Sequence, residues 1–148
     1  MLFEQKFVAP APREKAWDFL MDVATLAQCL PGVEKVETID DTNYTGIQKV
    51  KIGPFSFAFN WKVTLTEMDH DRYTASLVAQ GTDNRVASSV RARMSMSLVE
   101  TSPQETEVRL TSDVSFMGKL GQLGSGLIRR KSEEMMNQFA ANMGQRLK

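Results

Sequence analysis

The chain has 148 residues, of which 42% are hydrophobic and 24% charged, as is typical of a globular protein with one core. Its 18 basic and 18 acidic residues cancel. This balance argues against nucleic-acid binding, which draws on Lys and Arg to neutralise phosphates. The single cysteine, Cys29, excludes an internal disulfide. The N-terminus reaches charge too early for a signal peptide, and no apolar run approaches the roughly 18 residues of a membrane span. We therefore expect a cytoplasmic protein whose only membrane contact is peripheral, at the inner face of the membrane.

The first part of the chain predicts one strand followed by two short helices. Residues 2–8 are apolar-rich and end before Pro10. Pro12 stands where the first turn of a helix accepts proline, and an apolar face follows it. Asp22 is expected to cap a second short helix, which ends at Pro31-Gly32.

From Val33 to Gly118 the apolar residues recur with a period of two, which predicts a series of strands. Turn-forming segments at 40–43, 69–71 and 101–104, together with Gly53-Pro54, separate these strands. The alternate positions are largely polar, so the sheet has one wet face and is antiparallel in character. The positions that share the apolar face are Phe55, Phe57, Phe59, Trp61, Val63 and Leu65; Tyr73, Ala75, Leu77 and Ala79; Val86, Ser88, Val90, Ala92, Met94, Met96 and Leu98; and Val108, Leu110, Ser112, Val114 and Phe116.

Residues from Lys119 to Leu147 predict a long helix with an apolar stripe, which the polar stretch 129–134 interrupts. A one-sided sheet and an amphipathic helix bury each other's apolar faces when the sheet curls around the helix. We therefore expect an α+β fold, a curved antiparallel sheet around a long C-terminal helix, with residues 1–148 forming a single domain. Four glycines, at 118, 121, 124 and 126, indicate either a late helix start or a slim backbone beside a ligand.

Residues suited to catalysis or metal binding are few. The only histidine, His70, lies between two aspartates, and a solvated turn residue is favoured over a general base or ligand. Cys29 is expected to be a small buried hydrophobe. One cysteine with one distant histidine is not a zinc-binding set, and the glycine cluster matches neither the P-loop nor the dinucleotide fingerprint. We expect no catalytic residues, no metal and no cofactor.

The apolar face carries signs of a cavity, although a packed core is the simpler interpretation. Small alanines and serines alternate with large side chains, nine methionines can repack around apolar guests, and two serines offer polar contacts. The residues predicted to bind a ligand are Phe57, Phe59, Trp61, Leu77, Ser88, Met94, Met96, Ser112, Val114, Phe116, Leu123 and Leu127.

Several segments resemble one known family. The stretch from Phe7 to Leu20, FVAPAPREKAWDFL, resembles the opening of the START-like, or SRPBCC, superfamily. More specific are LAQCLPGVE at 26–34, YTG at 44–46, VKIGPF at 50–55 and GKLGQLG at 118–124. Together these segments resemble the CoxG family, accessory to molybdenum-dependent carbon monoxide dehydrogenase, from Phe3 to Leu147.

The resemblance implies a helix-grip fold, in which the curved sheet holds the C-terminal helix around a cavity. It also implies a protein that binds or carries a lipid, fatty acid or quinone-like molecule. A molybdenum hydroxylase or carbon monoxide dehydrogenase complex and a peripheral membrane contact are the implied partners. The alternative is an SRPBCC-type enzyme, such as a cyclase or hydratase, that acts on an apolar substrate in the same cavity. Binding is favoured, because serines on the inward face are poor bases.

Overall fold

The computed structural model describes all 148 residues and contains seven strands and three α-helices. The elements in chain order are β1 (Leu2–Ala9), α1 (Arg13–Met21), α2 (Val23–Ala27), β2 (Val33–Thr38), β3 (Asn43–Ile52), β4 (Phe55–Asp69), β5 (Thr74–Asp83), β6 (Ser88–Ser102), β7 (Glu105–Gly118) and α3 (Ser125–Leu147). Short 3₁₀ turns at Asn84–Val86 and Leu120–Leu123 precede β6 and α3.

All seven strands form one antiparallel sheet in the order β1-β7-β6-β5-β4-β3-β2. The first two strands in sequence therefore lie at opposite edges, and α1 and α2 make the connection between them. The expected α+β helix-grip arrangement is confirmed: the curved sheet carries its apolar face toward α3. Phe57, which the strand register assigned to the inner face, is only 2% exposed.

The short helices begin where the sequence indicated. Pro12 immediately precedes α1, and its fixed φ suits that place. Asp22 caps α2 by accepting hydrogen bonds from the backbone N–H of Thr25, at 3.4 Å, and from its hydroxyl, at 2.7 Å. Cys29 is buried as expected, and burial raises the pKa of its thiol.

The last helix begins later than predicted, at Ser125 rather than Lys119. Gly118 and Gly124 have φ values of 74° and 87°, which L side chains rarely adopt and which break a helix. The residues between them form a 3₁₀ turn instead. The glycine cluster thus forms mainly a loop, and the prediction that α3 starts at Lys119 was wrong.

The apolar interior consists of two separate clusters. The larger joins α1, β6, β7 and the C-terminal half of α3 around Trp17, Val108, Phe139 and Met143. The smaller joins the β3–β4 hairpin, β6 and the 3₁₀ turn before α3; its members are Ile52, Phe57, Phe59, Val90 and Leu120. The middle of the concave face lies between them.

The Pro31-Gly32 turn is held closely against β3. Gly32 has a φ of 80°, and its carbonyl accepts a hydrogen bond of 2.8 Å from the Lys49 N–H. A Cβ atom on Gly32 would lie 2.0 Å from the Lys49 carbonyl oxygen. This position therefore requires glycine on two grounds, the backbone conformation and the space.

We expect Gly32→Ala to lower the free energy of unfolding by more than about 2 kcal/mol, because left-handed strain adds to a backbone clash. Gly144→Ala is the matched control: it lies in α3 with nothing within 4 Å of an added Cβ. That variant should gain about 0.5–1 kcal/mol. Urea denaturation of both variants is the measurement, and equal effects would contradict the interpretation.

Candidate functional site

The concave face is organised in rows of side chains that run across β4 to β7. One row contains Leu65, Leu77, Met94 and Ser112. The next row contains Val63, Ala79, Ala92 and Val114. A third contains Trp61, Gly81, Val90 and Phe116. The middle row is therefore the smallest in side-chain volume, and it leaves a depression at the centre of the apolar face.

The side chains of this central region are half-buried rather than buried. Leu77, Ala79, Ala92, Met94 and Val114 all retain partial exposure, although they lie on the inner face of central strands. At the two ends of the same face, burial is nearly complete. A water-sized sphere thus reaches the middle of the apolar face but not its ends.

Helix α3 has the matching pattern. Leu127 packs against the smaller cluster, while Met136 and Phe139 join the larger one. Between these contacts Lys131 and Ser132 are half-buried, and the Lys131 ammonium lies 3.5 Å from Glu134. The polar interruption that the sequence shows at 129–134 therefore lies between the two apolar contacts of the helix.

The twelve residues predicted to bind a ligand fall into four groups in the structure. Phe57 and Phe59 are buried members of the smaller cluster, and those that pack against it are Trp61, Val114, Phe116, Leu123 and Leu127. Met94 and Met96 pack against the larger cluster. Leu77 and Ser112 lie on the central row and belong to neither cluster. Ser88 lies at the end of the sheet, beside the 3₁₀ turn.

The two predicted polar contacts differ in their surroundings. The Ser88 hydroxyl donates to the Val86 carbonyl at 3.0 Å and accepts from the Leu120 N–H at 3.1 Å, so it holds the 3₁₀ turn in place. Ser112 is 5% exposed, and its hydroxyl has no hydrogen-bond partner within the chain although the oxygen is not sealed from solvent. Of the two serines, Ser112 is the one available to a bound molecule.

Trp61 is fixed by a chain of hydrogen bonds. Its Nε1–H donates to Gln48 Oε1 at 2.9 Å, and Gln48 Nε2 donates to the Pro31 carbonyl at 2.9 Å. The indole lies over Gly81, where an added Cβ would be 3.0 Å from three ring carbons. The sequence analysis missed Gln48, whose signal was a polar residue in phase with Tyr44 and Ile52 of β3.

Asp83 is a second inward polar residue that the sequence analysis missed. Its carboxylate accepts a bond of 2.7 Å from the Ala58 N–H and is held by the backbone and guanidinium of Arg85 at about 3 Å. The Arg85 hydrogen bonds lower the pKa of Asp83 to about 2, despite burial. The group is therefore a carboxylate at every physiological pH, and its lone pairs are bound within the protein.

His70 lies in the β4–β5 turn, as expected, but it is not simply solvated. Its Nε2 lies 2.8 Å from Glu14 Oε1, its ring stacks on Trp17 at 5.4 Å, and the Tyr73 hydroxyl donates to Glu14 Oε2 at 2.6 Å. Hydrogen bonds from Tyr73 and His70 lower the pKa of Glu14, and the bond to Glu14 raises the pKa of His70. These groups link α1 to the turn at the surface of the larger cluster.

This link should make stability depend on pH. A raised histidine pKa contributes stability that is present below 6.5 and lost as pH rises through the folded-state value. A lowered glutamate pKa contributes stability that is present above 4.5 and lost as pH falls through the folded-state value. We expect the Tm difference between the parent and His70→Gln to be largest between these two limits and to shrink on either side. Glu14→Gln should remove the same dependence, and a Tm difference that is flat with pH would contradict the assignment.

Solved structures with the same arrangement define the fold class. A conserved protein from Geobacillus kaustophilus aligns with a TM-score of 0.90 at 17% identity, covering 99% of this chain and 95% of that one. A START superfamily protein from Mycobacterium smegmatis aligns at 0.70 and 12% identity, covering 99% and 96%. The Zhui aromatase/cyclase from Streptomyces sp. R1128 aligns at 0.67 and 16% identity, covering 100% and 96%. At these identities the likeness establishes a START-like fold.

The family is established by the sequence itself. Residues 6–148 match the carbon monoxide dehydrogenase CoxG family, so the chain belongs to that family. None of the curated proteins matches the sequence. No helix has both the length and the apolar character needed to cross a membrane.

Proposed function

We propose that this protein binds a hydrophobic small molecule between α3 and the concave face of the sheet. The observation that carries the proposal is the partial exposure of Leu77, Ala79, Ala92, Met94 and Val114, between two fully buried clusters. Apolar side chains that stay accessible under a covering helix are typical of a ligand pocket rather than of a close-packed core.

The chemistry of this region suits a lipid, a fatty acid or a quinone-like molecule. An apolar chain or ring would contact the alanines of the central row and the flexible thioethers of Met94 and Met96, which adapt to guests of different shape. The Ser112 hydroxyl would meet one polar atom of the ligand, such as a carbonyl oxygen. Trp61, fixed through Gln48, would form one rigid wall.

Membership of the CoxG family supports a further step in the same proposal. The family is named for a component of carbon monoxide dehydrogenase, so we propose that the bound molecule is carried to or from a molybdenum hydroxylase of that kind. The apolar ligand would be exchanged with a membrane through peripheral contact, from the cytoplasmic side.

Ala92→Leu is the direct test, because it adds three carbons to the centre of the depression. If the region is an open pocket, affinity for a fluorescent fatty acid or quinone analogue should fall by about tenfold while Tm changes little. If the region is close-packed, the enlargement should cost about 1–3 kcal/mol of stability. Ala58→Leu is the control, on the outer face of β4. Lost stability with unchanged probe binding would reject the pocket, and Met94→Trp repeats the test in the neighbouring row.

An enzyme is the second candidate, because the Zhui aromatase/cyclase shares this fold. General acid–base catalysis needs a positioned titratable group whose pKa lies near the working pH. The inward carboxylate is Asp83, and its pKa of about 2 with Arg85 as partner suits a structural role. Binding therefore remains the favoured proposal.

Asp83→Asn separates these roles. Its stabilising contribution should be present above pH 3.8 and be lost as pH falls toward about 2, so the variant should be less stable at neutral pH and approach the parent in acid. Asp113→Asn, whose side chain is 75% exposed, should show little change. An Asp83→Asn protein that keeps its stability and probe binding but loses turnover of an aromatic substrate would support the enzyme instead.

A further inference from the structure

The outer face of the sheet carries a groove that the proposed ligand site does not use. It has a volume of about 460 Å³ and crosses β4 to β7. Most of its lining is polar or charged, and the outward-facing side chains that matter here are Lys62, Val78, Arg91, Arg93 and Asp113. Three of these are cations and one is an anion, in a chain whose overall charges cancel.

The cations of the groove differ from the other cations of the outer face. Lys35 and Lys49 lie 3.0 and 3.2 Å from glutamates, and Arg109 lies 3.2 Å from Glu107. By contrast, Lys62, Arg91 and Arg93 are exposed and form no salt bridge with any carboxylate of the chain. The unpaired positive charge is thus concentrated at the centre of the face.

The spacing of these charges follows from the sheet. Arg91 and Arg93 are alternate residues of β6, so their Cα atoms lie about 6.8 Å apart along the strand. Lys62 is joined to Arg91 through Gln80 of β5, which places it two strands away, at about 10 Å. Alternate side chains of an extended peptide lying along β6 would repeat at the same interval of about 6.8 Å.

We propose that this groove is a docking site for an extended acidic segment of a partner protein. Carboxylates at alternate positions of that segment pair with Arg91 and Arg93, whose planar guanidinium groups bind carboxylates through two hydrogen bonds. Lys62 meets a further carboxylate. Val78, which is 38% exposed on the groove floor, supplies an apolar contact.

The shape and charge of the groove favour a peptide over other anions. A compact anion such as phosphate spans only part of the distance between cations on different strands. A planar membrane surface meets the rim of a recess before its floor, where Val78 lies. Asp113 borders the groove on β7 and repels acidic groups there, which restricts an acidic segment to the β4–β6 side. The groove is on the sheet face opposite the apolar site, so docking does not depend on the ligand proposal.

The test compares two fluorescein-labelled peptides of equal length and charge. In one, three glutamates alternate with serines; in the other, the three glutamates are adjacent. Anisotropy titrations at about 20 and about 150 mM salt should show tighter binding of the alternating peptide and a loss of affinity at the higher salt. Arg91→Gln/Arg93→Gln should weaken that binding about tenfold or more. Lys35→Gln/Arg109→Gln, on the same face, should leave it within about twofold of the parent.

Several outcomes would overturn the proposal. These are equal binding of both peptides, no binding of either, or equal affinity of the arginine variant and the control. Arginine-dependent binding of inorganic triphosphate, or of phosphatidylglycerol vesicles, at least as tight as that of the alternating peptide would assign the groove to another anion. Amide chemical-shift changes in β4 to β7 locate the peptide without any substitution. Unchanged binding of the apolar probe by the arginine variant separates this result from the ligand proposal.

Discussion

One helix has to cover the apolar face of a seven-stranded sheet, and the rest of the structure depends on this constraint. Strands about 4.8 Å apart make such a sheet roughly 29 Å wide, whereas a helix with its side chains is about 10–12 Å across. A flat sheet would leave most of its apolar face in water. The sheet therefore curves toward α3, and each strand that borders the concavity keeps a strict alternation of apolar and polar residues.

The composition of α3 decides what this curvature encloses. Its apolar contacts lie at the two ends, through Leu127 and through Phe139 and Met143, while the stretch around Lys131 is polar. The helix consequently seals the sheet at two places and bridges the region between them. Alanines at 79 and 92 deepen that region from the sheet side. The accessible centre thus arises from the helix and the strands together, and neither would produce it alone.

The features that the sequence predicted correctly are those with a local period. Phe57 and Phe59 are buried because a two-residue alternation fixes the face of every side chain once one is assigned. The features it missed depend on contacts between distant residues. The Glu14–His70 pair joins residues 56 positions apart, and Ser88 finds Leu120 at a separation of 32. The start of α3 failed for another reason: glycine permits helix and loop alike, and only the backbone conformation at Gly124 decides between them.

The two faces of the sheet share one backbone but have opposite chemistry. Residue 92 points its methyl group into the apolar depression, while its neighbours at 91 and 93 carry unpaired guanidinium groups on the outer surface. The ladder of hydrogen bonds from β5 to β7 holds both sets in register, so neither face can change its spacing without disturbing the other. A carrier must release its ligand near an acceptor, and an acidic partner held on the outer face would leave α3 and the apolar side free to open. Separating the docking surface from the ligand site by the thickness of one sheet lets recognition of the partner and exchange of the ligand proceed independently.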